Sequence, residues 1–66
     1  MTIQLNGKDY ALDAPASVAS LLAHIGLGDK PVVVELNKIA LFPREYPEIA
    51  LEDGDKVEVI TIAAGG

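Results

Sequence analysis

The first twelve residues alternate apolar and polar side chains, which is the pattern of a β-hairpin. The alternation runs through "TIQLNGKDYAL" on both sides of Asn6-Gly7. Asn-Gly is a strong hairpin signal because a type I′ turn needs a positive φ at both central residues. We therefore predict that Ile3 and Leu5 face one side of this hairpin, with Tyr10 and Leu12 on the returning strand.

A helical spacing replaces the alternation after the "DAPAS" segment. The residues at i, i+3, i+4 and i+7 are all apolar and form one stripe: Val18, Leu21, Leu22 and Ile25. Ser17 is a suitable N-cap, and Gly26 suits the left-handed position just after a helix. The pattern predicts one short helix laid on a sheet.

Three further strands are predicted in the second half of the chain. "VVVEL" is rich in β-branched residues, and Asn37-Lys38 turns the chain into a short strand "IALF" that Pro43 stops. "REYPEIA" is predicted to be irregular or a single helical turn. In "EDGD", Gly54 supplies the positive φ of a tight turn.

The last strand, "KVEVITI", is predicted to lie inside the sheet. It places Val57 and Val59 on one face and Ile60 and Ile62 on the other, as expected for a strand covered on both sides. The predicted order is β-β-α-β-β-β. This order indicates the α+β class, with one helix packed on the sheet.

Composition and charge exclude several classes of function. The 66 residues predict one domain over 1–62 with a short tail over 63–66, and the absence of cysteine excludes disulfides, thiolate zinc sites and a Cys nucleophile. A net charge of −5 argues against nucleic-acid binding and suits either a partner with a basic surface or solubility alone. No apolar run reaches the length of a membrane span, so we expect no membrane association and a cytoplasmic protein.

No catalytic or metal site is predicted within the domain. Asp53 and Asp55 belong to the "EDGD" turn, where turn chemistry is far commoner than an acid–base pair. Ser17 and Ser20 have only His24 as a possible base and no group to orient it. We expect no bound cofactor.

The remaining candidate for chemistry is the terminal "AAGG". It carries no side chain larger than a methyl group, so it can pass extended through a narrow channel. The α-carboxylate of Gly66 is ionised at pH 7 and can attack the α-phosphorus of ATP if a partner holds the nucleotide and Mg²⁺ in line. Sulfur can then attack the activated carbonyl. The alternative is an inert, frayed end.

The second half of the chain resembles the ThiS family, the sulfur carrier proteins of thiamine biosynthesis. In that family an Asn turn precedes a Pro-Arg pair, an aromatic residue, a Gly-Asp turn and a terminal Gly-Gly. This chain carries these elements as Asn37, Pro43-Arg44, Tyr46, Gly54-Asp55 and Gly65-Gly66. The helix "SVASLLAHIGL" also resembles the family's single early helix. The chain has Lys38 where the family often has Gly, and Tyr46 where it often has Trp.

The resemblance implies a β-grasp, or ubiquitin-like, fold with the last strand in mid-sheet beside the first and a flexible Gly-Gly tail. It implies that a ThiF-type adenylyltransferase uses ATP and Mg to adenylate Gly66. A sulfur relay donor then converts the adenylate to a thiocarboxylate, and a ThiG-type thiazole synthase receives the sulfur. The carrier itself would be a co-substrate and not an enzyme, with Gly65 and Ala64 as the tail that enters each partner.

A partner-binding surface is expected on the sheet face near the base of the tail. The candidates are Leu41, Phe42, Arg44, Ile60 and Ile62, with the acidic turn at Asp53 and Asp55 as a polar rim. Each apolar candidate could instead belong to the core, and burial is the favoured expectation for Ile60.

Three other functions fit the same features. The small subunit of molybdopterin synthase is similar in fold, in the Gly-Asp turn and in the terminal Gly-Gly. A ubiquitin-like modifier would pass the same adenylate to a thioester. A small binding module with an inert tail would need no activation at all.

Overall fold

A computed structural model describes residues 1–62 as a five-stranded sheet with one α-helix and one 3₁₀ turn. The elements are β1 (Thr2–Leu5), β2 (Lys8–Ala11), α1 (Val18–His24), β3 (Val32–Leu36), β4 (Ile39–Ala40), the 3₁₀ turn Pro43–Glu45 and β5 (Lys56–Thr61). The predicted element order is confirmed. The predicted tail, residues 63–66, lies outside the described residues.

The strand order in the sheet is β2-β1-β5-β3-β4, which places the last strand in the middle. β5 runs parallel to β1 and antiparallel to β3, and the two hairpins β1-β2 and β3-β4 are antiparallel. This is the β-grasp arrangement that the resemblance implied. β4 is shorter than the predicted strand, because the chain turns into the 3₁₀ segment at Pro43.

The core lies between α1 and one face of the sheet. Its buried residues come from the helix, from the three strands β1, β3 and β5, and from the connection before β5: Ile3, Val18, Leu21, Leu22, Val34, Tyr46, Leu51, Val57 and Val59. The predicted helical stripe and the predicted inner face of the first hairpin are both part of this core. Ile25, the last residue of the stripe, is half-buried against it.

Both ends of α1 are capped as the sequence predicts. The Ser17 Oγ accepts the Ser20 N–H at 3.0 Å, and the Ser17 N–H donates to the Ser20 Oγ at 2.8 Å, which forms a capping box. At the other end Gly26 has a φ of 81°, and the Leu27 N–H donates to the Leu22 carbonyl at 2.8 Å. This is the bond pattern of a Schellman motif, so α1 ends where glycine permits the left-handed turn.

The prediction that β5 is covered on both sides is wrong. Val57 and Val59 face the helix and are buried, whereas Ile60 is 53% exposed and Ile62 is 51% exposed on the opposite face. One helix of seven residues can cover only one face of a sheet. The apolar residues that alternate with the core positions therefore face solvent, and we call this side of the sheet the open face.

Two hairpin turns have a positive φ at both central residues, as type I′ turns require. The values are 51° and 82° at Asn6 and Gly7, and 51° and 70° at Asn37 and Lys38. Lys38 is the one of these four residues that carries a large side chain without the local hydrogen bonding that helps asparagine adopt this conformation. Its left-handed backbone costs free energy in the folded state.

We predict that Lys38→Gly stabilises the domain by roughly 0.5–1 kcal/mol, because glycine adopts a φ of this sign without the steric cost. Urea unfolding followed by circular dichroism measures the change in the free energy of unfolding. Lys8→Gly is the control, because Lys8 lies in β2 and its φ is not positive. Glycine there should destabilise by a similar amount. A destabilised Lys38→Gly protein would contradict the interpretation of this turn.

Candidate functional site

Four exposed apolar residues lie together on the open face, towards the end of β5. Val33 and Ile60 are direct partners in the β3-β5 ladder. The Leu41 N–H donates to the Val34 carbonyl at 2.9 Å, so the extended Phe42 lies beside Val33. We call these residues the apolar patch: Val33, Phe42, Ile60 and Ile62, all exposed by more than a third of their surface. A cluster of this kind is typical of a protein-binding surface.

The 3₁₀ turn holds Phe42 at the edge of the patch. The Phe42 N–H donates to the Glu45 Oε2 at 2.6 Å, and the Glu45 N–H donates to the Phe42 carbonyl at 2.8 Å. The Arg44 guanidinium carbon lies 5.0 Å from the centre of the Phe42 ring, which is a cation–π distance. The turn therefore presents an aromatic ring and a positive charge side by side.

The structure separates the sequence-predicted binding residues into two groups. Phe42, Arg44, Ile60 and Ile62 are exposed at this end of the sheet. The favoured expectation that Ile60 is buried was wrong, because no element covers the open face among residues 1–62. Leu41 is half-buried against the core, so it does not belong to the patch.

Val33 is a patch residue that the sequence analysis did not select. The run "VVV" in β3 is apolar at every position, so it does not reveal which residues face the helix. Val34 is buried, and its neighbour Val33 must point to the opposite face because strand side chains alternate. The alternation of side chains assigns Val33 to a face only when one residue of the strand is already known to be buried, and the sequence alone did not identify that residue.

The acidic turn lies at the other end of β5, so its predicted place on the rim of the patch was wrong. β5 is six residues long, which separates the two ends by about 20 Å. The turn prediction itself is confirmed. The Thr2 N–H donates to the Asp53 Oδ1 at 2.7 Å, and the Glu52 N–H donates to the Asp55 Oδ2 at 2.8 Å. Both carboxylates stabilise the entry into β5.

The chain leaves the described domain beside the apolar patch. The Ile62 N–H donates to the Pro31 carbonyl at 3.0 Å, which extends the β5-β3 pairing by one step. Because Ile62 lies just beyond the end of β5, it also borders a groove of about 750 Å³ on the helix side of the sheet, whose other walls include Leu22, Leu27 and Tyr46. Ala64, Gly65 and Gly66 lie outside the described residues, so their role stays a prediction.

The side chains of Ser17, Ser20 and His24, which were considered for catalysis, all make contacts within the fold. The hydroxyls of Ser17 and Ser20 bond to each other's backbone in the capping box, and His24 makes an edge contact with the Tyr10 ring at 6.0 Å between centroids. Within residues 1–62, no three His, Cys, Asp or Glu side chains lie close enough to hold a metal ion. No helix in this part of the chain is long and apolar enough to cross a membrane.

Comparison with known proteins gives consistent results for sequence and structure. Over 65 residues the chain is 37% identical to the sulfur carrier protein ThiS of Bacillus subtilis, covering 97% of this chain and 98% of that protein. The structure matches the crystal structure of the thiamine biosynthesis protein ThiS from Geobacter metallireducens with a TM-score of 0.83 and 30% identity, over the full length of both chains.

A longer protein also matches. Over its whole length, the chain is 32% identical to a segment that makes up 20% of the thiazole synthase of Paramagnetospirillum magneticum. The sequence profile of the ThiS family matches residues 3–66. Together with the β-grasp sheet and its apolar patch, these matches show that the chain belongs to the ThiS family and is a sulfur carrier of thiamine biosynthesis.

Proposed function

We propose that the sulfur is carried on the terminal carboxyl group of Gly66 as a thiocarboxylate. A carboxylate oxygen attacks the α-phosphorus of ATP, pyrophosphate leaves, and an acyl-adenylate forms on the chain. A relay donor supplies sulfur as hydrosulfide, which attacks the acyl carbon; AMP leaves with the bonding electrons of the C–O bond, and loss of the sulfur-bound proton gives the thiocarboxylate. ATP and Mg²⁺ bind to a ThiF-type activating enzyme and not to the carrier, which is a co-substrate.

The observation that carries this proposal is the position of the apolar patch. β5 carries Ile60 on the open face, and the chain continues from Ile62 into four residues without a large side chain. A partner that covers the patch is therefore placed next to the base of the tail. Burial of apolar surface there supplies affinity, while the slim tail supplies reach into a narrow active site.

The chemistry of the domain supports the same assignment. The hydroxyls and carboxylates described above stabilise the cap of α1 and the turn before β5. Among residues 1–62 no cluster of metal-binding side chains competes with the terminus as a reactive site. The carrier then needs only a recognition surface and a free carboxyl end, and lack of cysteine is no obstacle because a thiocarboxylate needs no side-chain thiol.

The receiving partner that we propose is a ThiG-type thiazole synthase. The full-length match of this chain to part of a protein named thiazole synthase supports it, because a carrier domain joined to its acceptor works at high effective concentration. The family match favours this branch over a molybdopterin synthase subunit, a protein modifier and a binding module with an inert tail.

We predict that incubation with ATP, Mg²⁺, the activating enzyme and a sulfur donor raises the intact mass by about 16 Da, as sulfur replaces one oxygen. Deletion of Gly66 should abolish this gain and leave the circular dichroism spectrum unchanged, because the core lies within residues 1–62. The measurement is intact-protein mass spectrometry.

A chain that ends in a Gly66 carboxamide is the matched control for this deletion. It keeps every residue and removes only the carboxylate, so it should also fail to gain sulfur. A mass gain in either variant would show that sulfur is carried elsewhere on the protein.

We predict that Ile60→Asp weakens binding to the activating enzyme by about 2 kcal/mol, because it places a charge at the centre of the apolar patch. Titration calorimetry gives the dissociation constant. Ile39→Asp is the control, since Ile39 is 67% exposed and belongs to the edge strand β4, outside the patch. Both residues are exposed, so both variants should retain the wild-type stability to within about 0.5 kcal/mol. Equal affinities for the two variants would exclude the patch as the docking surface.

A further inference from the structure

The side chain of Asn6 pairs with β5 as if it were a strand backbone. The Asn6 Nδ2 donates to the Val59 carbonyl at 3.2 Å, and the Val59 N–H donates to the Asn6 Oδ1 at 2.8 Å. Both backbone polar groups of Val59 are therefore satisfied by one side chain. Asn6 lies in the β1-β2 turn, 53 positions away in the sequence.

The geometry of the β1-β5 ladder explains why the Asn6 side chain, and not the Asn6 backbone, accepts the bond from Val59. In the parallel β1-β5 ladder the Gln4 N–H donates to the Asp55 carbonyl at 2.8 Å, and the Asn6 N–H donates to the Val57 carbonyl at 2.9 Å. The next bond of such a ladder would run from the Val59 N–H to the Asn6 backbone carbonyl. Asn6 has a φ of 51° because it begins the turn, and its side-chain carbonyl accepts that bond instead.

Beyond Val59 the chain has no neighbour on the β1 side among the described residues. β1 ends at Leu5. In the antiparallel β3-β5 ladder, Thr61 is paired with Val32, and the Ile62 N–H donates to the Pro31 carbonyl. Because hydrogen-bonded and non-hydrogen-bonded pairs alternate in such a ladder, the N–H and carbonyl of Thr61 point away from β3. Asn6 is thus the last group that holds β5 on that side before the chain reaches Ile62.

We propose that Asn6 is a positioning residue for the transfer reaction: it holds the end of β5 so that Ile60 and Ile62 form one rigid unit, from which the chain continues into the tail. This inference rests on the proposed function, since it concerns how the partner receives patch and tail together. A partner that binds this unit loses less conformational entropy than one that must order it, and misplacement of the tail slows the reaction at Gly66.

Asn37 provides a matched comparison at the opposite end of the same strand. The Asn37 N–H donates to the Lys56 carbonyl at 2.7 Å, and the Lys56 N–H donates to the Asn37 Oδ1 at 3.0 Å. Asn37 also has a φ of 51° in a type I′ turn. In both asparagines the side-chain oxygen therefore accepts a bond from β5 that a backbone carbonyl would accept in a regular ladder. Asn6 does so near the point where the chain leaves the sheet towards the tail, and Asn37 does so at the start of β5.

The test compares Asn6→Gly with Asn37→Gly, because glycine keeps the positive φ of each turn and removes only the side-chain bonds. We expect Asn6→Gly to lower kcat/KM for ATP-dependent adenylation of the carrier by about tenfold, and Asn37→Gly to change it by less than about twofold. In nuclear magnetic resonance experiments, the amide of Ile62, which donates to the Pro31 carbonyl, should exchange with solvent faster in Asn6→Gly and not in Asn37→Gly.

Equal losses of activity in the two variants would overturn the proposal, as would unchanged exchange of the Ile62 amide in Asn6→Gly. If the wild-type chain is not adenylated at all, the proposed function fails, and amide exchange still decides whether Asn6 holds this end of β5. If Asn6→Gly does not fold, Asn6→Asp takes its place. It keeps the acceptor for the Val59 N–H and loses the donor to the Val59 carbonyl, and it should show a smaller effect in the same direction.

Discussion

The packing of α1 against one face of the sheet is the interaction on which the rest of this structure depends. Ile3, Val18 and Leu21 are fully buried in that layer, and each such side chain contributes about 2 kcal/mol when it leaves water. A domain of this size has one core, and without cysteine or a metal cluster in residues 1–62 the core must carry the stability. The helix covers one face, so the other face of the sheet is available for binding.

The central strand connects the core to the binding surface. Val57 and Val59 pack under the helix, Ile60 lies on the open face of the same strand, and Ile62 follows directly after the strand ends. A shift of the strand by one residue would exchange the two sets and destroy both the core and the patch. Backbone pairing with β1 and β3 holds this register, and the turn asparagines extend the pairing where the neighbouring backbone turns away.

A carrier with this architecture does not need an active site of its own. The polar side chains that could have suggested catalysis have structural partners: Ser17 and Ser20 cap α1, and Asp53 and Asp55 accept backbone N–H groups before β5. Their bonds hold the start of α1 and the turn that leads into β5. The function that we propose then depends on where the chain leaves the sheet and on what surface lies beside that exit.

Short-range features of the sequence were sufficient to predict the elements. The Asn6-Gly7 turn, the Ser17 cap, the Gly26 stop and the Gly54 turn are all present, because backbone preference and local hydrogen bonding act over a few residues. The likeness to the ThiS family supplied the strand order, which local periodicity does not contain. The terminal Gly-Gly was a candidate before that likeness, because residues without a large side chain can pass extended through a narrow channel.

Only the tertiary structure decided which apolar residues are free to bind. Ile60 was expected in the core and is exposed, Leu41 was a binding candidate and is half-buried against the core, and Val33 was not selected although it lies in the patch. The acidic turn was expected near the tail and lies at the far end of β5. The physical reason is that side-chain alternation assigns residues to two faces, whereas burial depends on how many layers cover each face. That number is a property of the whole fold.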